Sequence, residues 1–108
     1  MISIVIPTFN EVENIVPLLK KLTLILNDFE YEIVVVDDDS PDGTSDKVKK
    51  YMKNNKRIKL ITRIGRSGLS SAIKEGVVFA QGKYILVLDG DGQHHPSFVL
   101  DMLNVINK

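Results

Sequence analysis

Four runs rich in Val and Ile, at Ile2–Ile6, Glu32–Val36, Ile58–Thr62 and Tyr84–Leu88, are separated by segments whose apolar residues recur at helical spacing. Runs this short, bounded by Pro, Asp or Gly, predict buried strands. Ile15, Leu18, Leu19, Leu22, Ile25 and Leu26 fall on one stripe of an about 3.6-residue period and predict a helix. A second helix is predicted from about Thr44 to Asn55, with Val48, Tyr51 and Met52 inward and lysines outward. A third runs from about Gly68 to Ala80 through Leu69, Ala72, Ile73, Val77 and Val78, and Pro96 is placed to open a fourth. Strands that alternate with helices form parallel sheets with right-handed crossovers, so the predicted class is α/β, a three-layer α/β/α parallel sheet. In that architecture ligands sit beyond the carboxyl ends of the strands.

With 108 residues the chain is long enough for one domain with a real core. Its 14 basic and 14 acidic residues leave no net field to recruit a polyanion, so no nucleic-acid partner is expected, although a single nucleotide remains open. The absence of cysteine excludes disulfides and thiolate metal sites and suits a cytoplasmic setting. The amino terminus has no basic region, Pro7 interrupts its apolar run, and no stretch of about 18 apolar residues occurs, so this stretch is not expected to span a bilayer.

All four post-strand segments carry polar or glycine-rich chemistry. Asp89 and Asp91 stand one glycine apart at the end of a strand, where period-two geometry turns both carboxylates the same way, and Gln93 continues the spacing. Two carboxylates and an amide oxygen suit Mg²⁺ or Mn²⁺ that keeps open positions for phosphate; a plain polar turn explains the same residues. Asp37-Asp38-Asp39-Ser40-Pro41-Asp42-Gly43 crowds negative charge after the second strand. Asp37 and Asp38 are candidates to accept from a ribose hydroxyl or a ring N–H, whereas Ser40 and Asp42 read as turn and helix-cap residues. Asn10 and Glu13 form a capping-box pattern, which leaves Glu11 freer to meet a ligand, and Phe9 is placed to pack on a base or ribose. Arg66, Gly68, Ser70 and Ser71 converge at a predicted helix start, where a diphosphate is accommodated by the N-terminal amides. No glycine fingerprint of a dinucleotide site follows the first strand, and there is no Gly-Lys-Ser phosphate loop. His94-His95 has neither a cysteine nor a third histidine near it, and the adjacent rings diverge, against a zinc site. The basic run Lys47, Lys49, Lys50, Lys53, Lys56, Arg57 and Lys59 reads as a solvated helix face or, alternatively, as a surface that meets anionic lipid heads.

Taken in order, IVIPTFNEVENI, EIVVVDDDSPDGT, RIGRSGLSSAI and LVLDGDGQHHP resemble the signature stretches of GT-A (family 2) glycosyltransferases related to dolichyl-phosphate mannosyltransferase. The resemblance covers nearly all 108 residues and implies a Rossmann-like sheet of order 3-2-1-4, the N-terminal, nucleotide-sugar-binding half of a GT-A domain cut short at its carboxyl end. It implies that Pro7, Phe9, Glu11, Val36 and Asp38 hold base and ribose, that Asp89, Asp91 and Gln93 ligate Mg²⁺ or Mn²⁺ on the diphosphate, and that Gly90 lines the same pocket. Asp89 and Asp91 are then also the catalytic residues. The implied reaction of a longer parent is metal-dependent, inverting transfer of a hexose, mannose from GDP-mannose, to a polyprenyl (dolichyl) phosphate at the cytoplasmic face of a membrane. UDP-glucose is the alternative donor, and nucleotide binding without catalysis the alternative role. Phe9 stands where the family often has Tyr, Gly90 where it often has Ala, and Gly92 where it often has a bulky apolar residue. The order 3-2-1-4 leaves the fourth strand at an apolar edge, from which self-association is expected.

Overall fold

Tyr31–Asp37 is buried at every position, as a strand must be when helices cover both faces of its sheet. In the computed structural model, which describes residues 1–90 and 97–106, the chain alternates β1 (Ile2–Thr8), α1 (Ile15–Ile25), β2 (Tyr31–Asp37), α2 (Thr44–Met52), β3 (Ile58–Thr62), α3 (Leu69–Phe79), β4 (Tyr84–Val87) and α4 (Ser97–Ile106). All strand pairs are parallel, in the order β3-β2-β1-β4, as expected. Period-two alternation divides the core in two. Ile2, Ile4 and Ile6 of β1 and Ile33 and Val35 of β2 pack with α1, α2 and α4, while Val5, Val34 and Val36 pack with Ala72 of α3 on the other face. This is the three-layer sandwich.

The sequence runs the inward face of α3 through Leu69, Ala72, Ile73, Val77 and Val78; Ala72 is buried there, but the helix is rotated so that Leu69, Val77 and Val78 are exposed. Ala72 and Gly76 are its buried residues, and Val78 is 86% exposed. The reason is the distance of approach: a Cβ at Gly76 would lie 2.4 Å from Val5 Cγ1 and 3.1 Å from Val36 Cγ2, so the helix sits against the sheet through its smallest residues. The capping box at Asn10 and Glu13 also does not form. α1 starts at Ile15, and Asn10 adopts a left-handed φ of 56° with its N–H bonded to Ser40 Oγ. Pro96 lies outside the described residues. β4 is an edge strand, and Tyr84, Ile85 and Val87 are each more than a third exposed.

At the amino-terminal end of the sheet, Ser3 and Glu32 are paired in register and buried. Glu32 accepts from Ser3 Oγ at 2.6 Å, Lys59 Nζ at 2.8 Å and the Gln81 N–H at 2.6 Å, while Ser3 Oγ accepts from the Gly82 N–H. This network fixes the turn into β4 against β1, β2 and β3. Burial pushes the Glu32 carboxyl up, but the hydrogen bonds from Lys59, Ser3 and Gln81 outweigh it and hold the group below its ordinary value of 4.5. A depressed carboxyl contributes stability that is present above the unfolded value and lost as pH falls through the folded one. Glu32→Gln is expected to lower stability at neutral pH by about 1–3 kcal/mol and to flatten the loss of stability below pH 4.5, read from urea midpoints across pH.

Candidate functional site

The order β3-β2-β1-β4 reverses direction between β1 and β4, and in an open parallel sheet that reversal parts the loops at the strands' carboxyl ends. A cavity of about 350 Å³ opens there, lined by Pro7 and Thr8 at the end of β1, Phe9 and Glu11 after it, Asp38 after β2, Leu69 and Ala72 of α3, and Asp89 and Gly90 after β4. It is large enough for a small organic ligand. Of the residues singled out in the sequence, Pro7, Phe9, Glu11, Asp38, Asp89 and Gly90 are brought together here. Asp91 and Gln93, with His94 and His95, lie outside the described residues.

The β1–α1 loop that carries Phe9 and Glu11 is braced by the β2–α2 loop. Asn10, Glu11 and Val12 donate their backbone N–H groups to Ser40 Oγ, Thr44 Oγ1 and Asp42 Oδ2 respectively. Asp42 also accepts the Thr44 N–H at the start of α2. Desolvation works against its charge, yet the bonds from Thr44 and Val12 hold the carboxyl below its ordinary value of 3.8. Ser40 and Asp42 are therefore structural, as their place in the sequence suggests. Phe9 is left 56% exposed at the cavity, a large apolar ring with a free face. At Gly90 a Cβ would stand 2.7 Å from Thr8 Cγ2 and 3.4 Å from Glu11 Cγ, so the glycine lets β4's end close against β1's.

Four other candidates are placed elsewhere. Val36 is wholly buried beneath α3. Asp37 is also wholly buried, and its carboxylate accepts from Thr8 Oγ1, Ser40 Oγ, Ser40 N–H and Ser45 Oγ at 2.7–3.0 Å. Its acceptor capacity is used within the fold, tying β1, β2 and α2 together. Arg66 points along α3 to a two-point ion pair with Glu75, its side chain 58% exposed, and is not part of the cavity lining. Gly68 does not line the cavity either, but its N–H donates to Asp38 Oδ2 at 2.9 Å and so serves the site indirectly.

The residue that sequence reasoning passes over is Arg63. It follows β3 directly, is 1% exposed, and sets Nε 2.8 Å from Asp38 Oδ1 while Nη2 donates to Ser71 Oγ. The register that pairs Asp37 with Thr62 makes Asp38 and Arg63 neighbours, a relation that appears only once β2 and β3 are known to be adjacent. The contact is one of charge rather than an aligned hydrogen bond. Asp38 Oδ1 and Arg63 Nε and Nη1 are buried without an aligned partner among the described residues. Asp38 thus meets the cavity as a carboxylate backed by the Arg63 guanidinium on Oδ1 and by the Gly68 N–H on Oδ2.

Glu11, Asp38 and Asp89 place three carboxylates around one cavity, with Arg63 behind Asp38. Hard oxygen donors of this kind are what Mg²⁺ and Mn²⁺ take. Among the described residues no three acidic or histidine side chains are close enough to enclose an ion by themselves.

Comparison with known proteins gives this cavity a family. The model of Glycosyl transferase family 2 matches residues 3–108. The chain belongs to that family. It is 40% identical over 105 residues to the dolichol-phosphate mannosyltransferase of Pyrococcus furiosus, covering 97% of this chain and 30% of that protein. Mannosyltransferase PcManGT from Pyrobaculum calidifontis, solved in complex with GDP-Man and Mn²⁺, superimposes with a TM-score of 0.74 at 26% identity, over 83% of this chain and 27% of that one. S. aureus TarS 1-349, solved in complex with UDP, gives 0.71 at 33% identity, over 83% and 27%. The chain spans less than a third of each of these proteins.

If Arg63 holds Asp38 by charge, the pair must behave as a unit. Arg63→Met is expected to cost about 3–5 kcal/mol by leaving a buried carboxylate uncompensated, and Asp38→Asn in the same chain to restore part of it, a coupling of about 1–3 kcal/mol in a denaturation cycle.

Proposed function

We propose that this chain is the nucleotide-sugar-binding part of a longer, metal-dependent, inverting hexosyltransferase, with mannose from GDP-mannose as donor and a polyprenyl (dolichyl) phosphate as acceptor. The observation that carries the reading is the Asp38 carboxylate in the lining of the cavity between β1 and β4, with Arg63 behind it. A ring N–H of guanine or uracil is the donor such a carboxylate recognises, since adenine and cytosine in a nucleotide have no ring N–H. Phe9, with Pro7 beside it, packs on base or ribose, and Glu11 accepts from ribose hydroxyls. Asp89, with Asp91 and Gln93, would hold Mg²⁺ or Mn²⁺ at the diphosphate. Such an ion, when bound, supplies Lewis-acid stabilisation of the charge that grows on the departing nucleoside diphosphate.

The chain's own residues contribute binding and position. Asp38 and the ring of Phe9 fix the nucleoside, and the braced β1–α1 loop keeps Phe9 and Glu11 in place as the ligand enters. The sugar's anomeric carbon then faces the acceptor on the side away from the leaving group, and displacement there inverts it. A lipid phosphate is already ionised near neutral pH, so orientation and electrostatics carry most of the catalysis and no strong base is required. The relatives' names support mannose and dolichol phosphate, while the UDP held by TarS keeps UDP-glucose as the second reading of the donor. The open edge of β4 supports self-association by strand pairing, and a lipid acceptor supports a place at the cytoplasmic face of a membrane.

Calorimetric titration with GDP-mannose, GDP, UDP-glucose and UDP, each with and without Mn²⁺, tests the reading. The expected result is Mn²⁺-dependent binding of one nucleotide family, weakened about 10- to 100-fold by Asp38→Asn, the worth of a hydrogen bond to a charged group. Equal affinity in the variant, or binding of none of the four by the folded chain, contradicts it.

A further inference from the structure

The chain is electrically neutral, yet its charge is unevenly placed. Seven of its 14 basic residues fall within residues 47–59, a stretch with no acidic residue. Two of the seven have partners that fix them: Lys59 is bound to Glu32, and Arg57 lies 4.8 Å from the Tyr31 ring centroid with Nη1 on the Phe29 carbonyl. Lys47 and Lys50 are different. With Lys20 of α1 they ring a groove of about 280 Å³ between α1 and α2, whose other lining residues are Val16, Tyr51 and Asn54. The groove follows from helical spacing: Val16 and Lys20 stand four apart on α1, and Lys47, Lys50, Tyr51 and Asn54 recur at three and four on and just past α2. Val16 and Tyr51 pack on the core beneath and make an apolar floor. No ion pair holds Lys20, Lys47 or Lys50 among the described residues.

We propose that this groove is an anion site, distinct from the cavity between β1 and β4, which seats the phosphate of an anionic lipid headgroup and so docks the α1–α2 face on a lipid surface. Three ammonium groups over an apolar floor match a phosphate attached to acyl chains, the charge meeting the lysines and the first methylenes meeting Val16 and Tyr51. The surroundings favour a charged surface over a small soluble anion. Lys49, Lys53 and Lys56 extend the positive field along the same element, further than one phosphate reaches, and all three are exposed. A surface of many headgroups engages every one of these lysines at once, which a single free phosphate does not.

Co-sedimentation of the chain with vesicles of phosphatidylcholine alone, and of phosphatidylcholine mixed with phosphatidylglycerol, tests this. Binding is expected with the anionic vesicles, falling as salt rises, and absent with the neutral ones. The triple variant Lys20→Gln, Lys47→Gln, Lys50→Gln is expected to lose affinity by about 100-fold, about five-fold for each lysine. The matched variant Lys49→Gln, Lys53→Gln, Lys56→Gln, with the same charge removed outside the groove, is expected to lose clearly less. Circular dichroism and nucleotide titration show whether either variant has altered the fold or the other cavity. Equal losses in the two variants overturn the groove as a site and leave diffuse charge. Absence of binding to anionic vesicles, or release of the chain by millimolar glycerol phosphate, overturns the lipid headgroup as its ligand.

Discussion

One buried carboxylate holds the functional end of this fold in shape. Asp37 ends β2 with no exposure to water and accepts four hydrogen bonds, from Thr8 at the end of β1, from the side chain and backbone of Ser40, and from Ser45 on α2. A buried carboxylate with that many donors is a strong constraint, because any movement of the loops around it strands buried polar oxygens. Ser40, placed by Asp37, in turn receives the N–H of Asn10 and sets the β1–α1 loop that offers Phe9 and Glu11 to the cavity. Asp37 therefore reaches the ligand through other residues while Asp38, next in the chain, faces it directly.

Adjacent aspartates divide these roles because they leave the strand in different settings. Asp37 is still within the β1–β2 ladder, opposite Thr8, whereas Asp38 has passed its end and meets Arg63 leaving β3. The guanidinium sets a fixed positive charge against Asp38 at the cavity wall, a setting suited to recognising an N–H. Beside it, Glu11 and Asp89 add two more carboxylates to the same cavity. Half of the basic residues are concentrated along 47–59, on and after α2, so the neutral total conceals an uneven distribution of charge.

Strand alternation, parallel order and the clustering of chemistry at the strands' carboxyl ends were legible in the sequence, because β-branched runs and helical periods report directly on burial. Six candidate residues meet in one cavity for the same reason: each follows a strand that the topology brings to the same end. What the sequence hid was contact between elements. Gly76 has no side chain for an apolar pattern to register, so the pattern finds Ala72 on the inward face of α3 but adds the exposed Val77 and Val78 in place of Gly76, whose close approach to Val5 decides the rotation. No sequence pattern marks Arg63, and Asp37 reads there, with Asp38, as a candidate acceptor for a ribose hydroxyl or a ring N–H. Only the β1-β2-β3 register shows that the first backs Asp38 and the second is satisfied inside the fold. The expected cap at Asn10 failed because a distant partner, Ser40 Oγ, holds its backbone in a left-handed turn.

The central claim is that a nucleotide and its metal meet at the β1–β4 parting. Paramagnetic line broadening by Mn²⁺ in an amide-resolved NMR spectrum, recorded with and without GDP, reads this position directly. The account predicts that GDP makes the broadening strong at residues 7–11 and at Asp89 and Gly90, while amides along Lys47 and Lys50 keep their intensity. Broadening that ignores GDP, or that centres on Asp39 and Asp42 and spares Asp89, would contradict it.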